Sequence, residues 1–230
     1  MAILYKAWAL ALTCCLLAST AMAEDEGSAY VFISAGQSYA ANACQSAWIP
    51  YLASYGGSNS CNSKSIAYRA GYGYQFTPTW GLEINYGQFG YASSDGYVNF
   101  PAPPTNIGPA NYSWQLKATG LALQGTATVH MGDVLSIIGK FGFARVEFDE
   151  RMYAWNLNVP AGYSNYYYTP AINTARNAPA LGGGIQLDVS PHASMRIMVE
   201  TFGSHDIYNA YGQSVKVSLR TISFGLMYKY

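Results

Sequence analysis

The last nine residues, Ile222-Ser223-Phe224-Gly225-Leu226-Met227-Tyr228-Lys229-Tyr230, alternate without a break. Ile222, Phe224, Leu226, Tyr228 and Tyr230 fall on one face of an extended chain, and Ser223, Gly225, Met227 and Lys229 on the other. Such a strand is apolar on one side only. Because the chain stops on an aromatic residue, no later element is expected to cover that side. The face then needs an apolar partner from outside the chain, and lipid is the simplest one.

The opposite end supports lipid. Lys6 is followed by an apolar run from Ala7 to Ala18, and Ala21-Met22-Ala23 precedes Glu24-Asp25-Glu26. This is the pattern of a cleaved export signal over 1–23, leaving 24–230 as the mature domain. The run is shorter than the roughly 20 apolar residues that a spanning helix needs. Cys14 and Cys15 leave with the signal, so Cys44 and Cys61 remain as the mature cysteines, and an oxidising compartment predicts a bond between them. Twelve Lys and Arg balance twelve Asp and Glu, which gives no electrostatic footprint for nucleic acid. Beyond the signal no segment is long and apolar enough for a transmembrane helix, so a membrane protein with this sequence must be a barrel.

Turn signals divide the rest into eight predicted strands: Ser28 to Tyr39, Ser65 to Phe76, Trp80 to Tyr91, Ser113 to Val129, Val134 to Phe148, Asn177 to Val189, Ser194 to Ser204 and Ser214 to Tyr230. Their connections alternate in length. Ala40 to Lys64, Gly90 to Tyr112, Asp149 to Arg176 and His205 to Gln213 are long, while Thr77-Pro78-Thr79, His130 to Asp133 and Ser190 to Ala193 are short. Long connections at one end and tight turns at the other predict an all-β, eight-stranded antiparallel up-and-down transmembrane β-barrel. Its termini and turns belong in the periplasm and its long loops outside the cell.

Strand parity agrees, because an Arg or Lys facing lipid at the bilayer midplane costs about 2 to 4 kcal/mol. Trp80, Leu82, Ile84 and Tyr86 share the outward parity and leave Glu83 inward. Tyr68 and Ala70 point out with Arg69 in, Ile137, Phe141 and Phe143 out with Lys140 in, and Ile197 and Val199 out with Arg196 and Glu200 in. Arg220 has outward parity but lies far enough along the last strand to reach the outer headgroups. The fourth predicted strand conflicts with itself: Trp114 and Leu116 share one parity, Leu121, Leu123 and Val129 the other. A bulge near Thr119 would reconcile them.

The segment from Gly73 to Tyr86, with its Gln75-Phe76-Thr77-Pro78-Thr79-Trp80 core, resembles the second hairpin of the OmpA-like family of eight-stranded outer-membrane barrels. Gly139-Lys140-Phe141-Gly142-Phe143-Ala144 resembles that family's fifth strand and Met195 to Glu200 its seventh. Gly225, Tyr228 and Tyr230 are similar to the terminal signal by which the outer-membrane assembly machinery recognises its clients. The resemblance covers the mature chain as a barrel domain only, without the peptidoglycan-binding domain that many members append. It further implies that Glu83, Lys140, Arg196 and Glu200, with Arg69, form an ion-pair network across the lumen.

The expected partners are outer-membrane lipid and lipopolysaccharide, the assembly machinery, and a host or cell-surface ligand. No nucleic acid, cofactor or metal is expected. Clamped by Cys44 and Cys61, the first loop carries Trp48, Tyr51 and Tyr55, and the third carries Tyr166, Tyr167 and Tyr168. Aromatic anchors on pinned loops suit a recognition surface. Tyr153 and Trp155 are expected to pack on neighbouring side chains above the barrel or to sit at the aromatic girdle instead. Ser204-His205-Asp206 spells a triad, yet adjacent residues cannot align a nucleophile, a base and an orienting acid. His130 and His192 belong to the turn end, across the membrane from His205, so they share no metal site. The functional expectation is a structural barrel with a membrane-integrity role and loops for recognition or adhesion. The alternatives are a narrow porin-like channel and a lipid-modifying enzyme.

Overall fold

A computed structural model describes residues 27–45, 58–99, 109–155, 166–208 and 214–230. The export signal expected over 1–23 and the loop aromatics Trp48, Tyr51 and Tyr55 lie outside them. Nine strands run through the described residues: β1 (Ser28–Ala41), β2 (Ser58–Asn62), β3 (Lys64–Gln75), β4 (Trp80–Asn99), β5 (Pro109–His130), β6 (Leu135–Trp155), β7 (Tyr166–Asp188), β8 (Ala193–Tyr208) and β9 (Ser214–Lys229). A 3₁₀ turn, Ala43–Gln45, follows β1. All pairings are antiparallel. β1 and β3 to β9 close into a ring of eight, with β1 pairing both β3 and β9. The short β2 pairs with the far part of β4, where β3 has ended, and so prolongs the wall.

The strands outrun the predicted ones at the loop end. β4 continues to Asn99, β6 to Trp155 and β7 begins at Tyr166, so most of two predicted loops is paired wall. A spanning strand needs about 9–11 residues, whereas β6 has 21 and β7 has 23. Facing shows where the lipid band stops. Outward on β6 are Ile137, Phe141 and Phe143, then the exposed Arg145 and Glu147. On β9 the outward apolar series ends at Ile222 and Arg220 follows; on β5 it ends at Leu121 and Lys117 lies beyond. Above that level the wall is bathed in water. Tyr153 and Trp155 sit eight and more residues past Arg145, so of the two places expected for them the girdle is excluded: they belong to the projecting wall.

The same level explains Trp114 and Leu116. β5 runs without a register break against β6, so the bulge expected near Thr119 is absent from β5. Leu121 and Leu123 face lipid, whereas Leu116 and Trp114 are buried inside the barrel. The apolar residues change parity because the solvent outside changes, not because the strand slips. The irregularity lies on the neighbour: the β4–β5 register shifts between Gln88 and Gly90, opposite Thr119 and Ala118. It turns both Phe89 and Gly90 inward.

A second break lies in β8, between Thr201 and Ser204. Gly203 there has φ +76°, and a Cβ would come within 2.5 Å of the Ala178 Cβ, so position 203 needs glycine on both counts. The extra residue brings His205 and Ile207 to the inner face. Among the described residues, β7–β8 pairing ends at Leu181 and Thr201. Pro179, which has no N–H to give, stands just past it.

Candidate functional site

The lumen within the lipid band is built from the inward positions of all eight strands of the ring. Glu83 of β4 is its centre. Its Oε1 accepts a 2.7 Å hydrogen bond from the Tyr30 hydroxyl and pairs with Arg196 Nη1, and Lys140 Nζ lies 2.5 Å from its Oε2. Arg69 pairs with Glu200 and donates to Ser223 Oγ at 3.3 Å, while Lys140 is 3.9 Å from Glu200 Oε1. Arg196 Nε donates to Gln186 Oε1 at 2.7 Å, and Asn85 to Gln124 at 3.2 Å. Thus the structure brings Arg69, Glu83, Lys140, Arg196 and Glu200 into one network, with both carboxylate side chains fully buried. Room for Tyr30 comes from Gly73 across the β1–β3 ladder, where a Cβ would lie 2.2 Å from the ring.

Aromatic rings close the network in. Lys140 sits 5.2 Å over Phe32, Arg196 5.1 Å over Tyr30 and Arg69 5.0 Å over Phe202. The void left between Arg69, Lys140, Arg196 and Glu200 is about 10 Å³, space for one water at most. Phe202 and Phe89 meet at 4.3 Å between ring centres above it.

Beyond this lid the lumen becomes apolar. Tyr112, Trp114, Leu116, Val146, Phe148, Met152, Ile207, Val217 and Leu219 form one buried cluster. Among the described residues, a carboxylic acid and an imidazole are enclosed there. Glu150 Oε1 accepts from Trp114 Nε1 at 2.7 Å, and no cation among the described residues is paired with it. Burial pushes its carboxyl above the usual range, and the Trp114 bond only partly opposes that. His205 Nε2–H donates to the Phe202 carbonyl (2.7 Å), and the ring packs 5.0 Å from Phe148. Burial lowers its pKa, against the Phe202 carbonyl and Asp206. Tyr30, Gln186, Glu150 and the Phe89–Phe202 pair belong to the lumen without any motif that marks them in the sequence. The signal for Glu150 was available, since it shares the parity of Lys140 on one unbroken strand.

Other expected site residues separate. Cys44 and Cys61 are joined by a disulfide, Cα–Cα 5.9 Å, which ties the 3₁₀ turn to β2. Tyr166, Tyr167 and Tyr168 belong to β7 and pair with Trp155, Ala154 and Tyr153, so they are wall and not loop tip. Ser204 and Asp206 face outward while His205 faces in, and Ser204 Oγ lies 2.6 Å from Ser218 Oγ, so the three do not meet. His130 and His192 stand at the turn end, where each touches a backbone carbonyl. Gly225 faces inward, and Tyr228 and Tyr230 are exposed on the outer face of the ring's closing strand.

A family model described as the outer membrane protein beta-barrel domain matches residues 8–230. No curated protein matches the sequence. Among solved structures, the chain is similar to Ail, the attachment invasion locus protein of Yersinia pestis, in complex with the heparin analogue sucrose octasulfate. That likeness has 12% identity and a TM-score of 0.46 over 90% of this chain and 100% of that one. It is also similar to OprG from Pseudomonas aeruginosa (12% identity, TM-score 0.44, 89% and 97% covered) and to Neisserial surface protein A (11%, 0.43, 90% and 100%).

Proposed function

Because the chain belongs to the outer membrane protein β-barrel domain family and so to the bacterial outer membrane, we propose that it serves there as a closed structural barrel that carries recognition loops, not as a pore. One observation carries this: the lumen is filled twice over. Ion pairs with a 10 Å³ void block it inside the lipid band, and a continuous apolar cluster led by Phe89 and Phe202 blocks it above. Water and solutes would have to break both layers, and an eight-stranded barrel has no spare diameter for a way around.

In this reading 1–23 is a cleaved export signal. The termini and tight turns are periplasmic, and the projecting wall faces the outside. Gly225, Tyr228 and Tyr230 serve the assembly machinery, and lipid and lipopolysaccharide surround the band. Recognition falls to the segment held by Cys44 and Cys61, whose aromatics are Trp48, Tyr51 and Tyr55, with Tyr166, Tyr167 and Tyr168 as further candidates. The bond anchors that segment to β4 through β2. No catalytic role is assigned to His205, because its ring is enclosed.

Planar-bilayer recording tests the closed lumen. Silence is expected from the wild type and from Lys140→Ala alike; steady single-channel steps in the wild type would overturn the reading in favour of a pore. Adhesion of whole bacteria to host cells and glycan surfaces tests recognition, and Cys44→Ser with Cys61→Ser is expected to weaken it at equal surface amounts.

A further inference from the structure

At the turn end the lumen opens into a cavity of about 190 Å³ whose lining includes Ser28, Tyr30, Thr128, Gln186, Arg196 and Lys229. The charges above it do not balance. Three cations, Arg69, Lys140 and Arg196, meet two carboxylates, Glu83 and Glu200. Lys140 and Arg196 share Glu83, and Lys140 and Arg69 share Glu200. The next buried carboxylate, Glu150, lies ten positions beyond Lys140 on β6, roughly 33 Å of strand at 3.3 Å per residue. A surplus buried cation is costly without a counter-charge nearby. The 10 Å³ void inside the network cannot hold one.

The cavity can, and Arg196 is part of its wall. Two of its hydroxyls have no partner among the described residues. Thr128 is only 6% exposed, and its side chain makes no hydrogen bond to the described residues; the same is true of the Ser28 hydroxyl. The remaining polar groups are accounted for. Lys229 Nζ is 2.9 Å from Asp188 Oδ1, and Asp188 also accepts from Gln186 at 2.8 Å and from Ser194, so that carboxylate is matched. His130 is held by Ser136 at 2.8 Å and by the Pro78 carbonyl at 3.1 Å. Tyr30 donates to Glu83, and Gln75 to the Pro78 carbonyl at 3.2 Å.

We infer that this vestibule is a binding site for a small oxyanion, held by Arg196, Thr128 and Ser28 with Lys229 at the rim, that neutralises the luminal network from the turn end. The site does not depend on what the loops recognise or on which compartment the turns face.

The test is titration of inorganic phosphate into the barrel purified in detergent, at constant ionic strength, followed by ³¹P line broadening and calorimetry. One saturable site per chain is expected. Thr128→Val keeps the side-chain shape and removes a hydrogen bond to a charged acceptor, so its Kd should rise about tenfold. Lys229→Ala should give a smaller rise of about threefold, as a partly exposed charge does. Folding of each variant is checked by the shift in gel mobility between boiled and unboiled samples, and Ser28→Ala substitutes for any variant that fails it. Absence of saturable binding to the wild type overturns the proposal, as does a Kd unchanged in every folded variant.

Discussion

Two halves of one lumen are held together by opposite chemistry. Inside the lipid band the wall is apolar outward and the interior is ionic: Glu83, Glu200, Lys140, Arg69 and Arg196 interlock. Above the band the wall is polar outward, with Lys117, Glu147, Arg151 and Asp206 exposed, and the interior is packed with Trp114, Phe148 and Leu219. β6 passes from one regime to the other with its alternation unbroken. In the lower half lipid takes up the apolar faces, so the centre is free to be polar. In the upper half water surrounds the wall, so the apolar residues must go inside. The upper half is thus a water-exposed barrel with an ordinary core, standing on a membrane barrel.

The contrast makes graded predictions, each measurable as a urea unfolding midpoint of the barrel folded in detergent or liposomes. Glu83→Ala should be the most damaging, about 3–5 kcal/mol, because it strands Lys140 and Arg196 together in a buried site. Adding Lys140→Met to it should recover part of the loss, since the surplus charge then falls. A cost under about 1 kcal/mol for Glu83→Ala would remove the ionic half of the comparison. Leu219→Ala, deep in the upper cluster, should cost about 3 kcal/mol as a cavity and gain nothing from charge-matching second changes.

Glu150→Gln should have a smaller effect, visible as a change in pH dependence. With its folded-state pKa raised, Glu150 contributes stability that is fully present below its unfolded value of about 4.3 and is lost as pH rises through the folded value. The wild type should therefore lose ground relative to Glu150→Gln between mildly acid and neutral pH. A wild-type-minus-variant difference that stays flat with pH would mean that Glu150 is not enclosed as described. Arg220→Leu should have the least effect, within about 1 kcal/mol, because position 220 lies at the edge of the band where charges cost little. A loss or gain of 2 kcal/mol or more there would move the boundary between the halves.

Much of the lower half was readable from residue order. Arg69, Glu83, Lys140, Arg196 and Glu200 all fall on the parity opposite the bulky apolar residues, and period-two alternation transmits that facing directly. What joined them into a network was a resemblance and not the pattern, since pairing across a lumen depends on register between strands distant in sequence. The sequence of the upper half misleads for a physical reason. Its strands alternate just as the lower ones do, but Trp114 and Leu116 look like a slipped register when lipid is assumed to continue. Glycines, prolines and tyrosines around Asn99 and Tyr166 resemble loop composition, and only their pairing with β5 and β6 makes them wall.

The amino-acid order by itself determined that this chain forms one-sided strands with charges inward and alternating long and short connections, because facing and turn chemistry are local properties. Only the tertiary structure decided how far the wall rises above the lipid, where β4 and β8 bulge, and that Glu83 must serve two cations at once. Those outcomes depend on closure of the ring, which sets inward residues from eight strands against one another at distances that no single strand specifies.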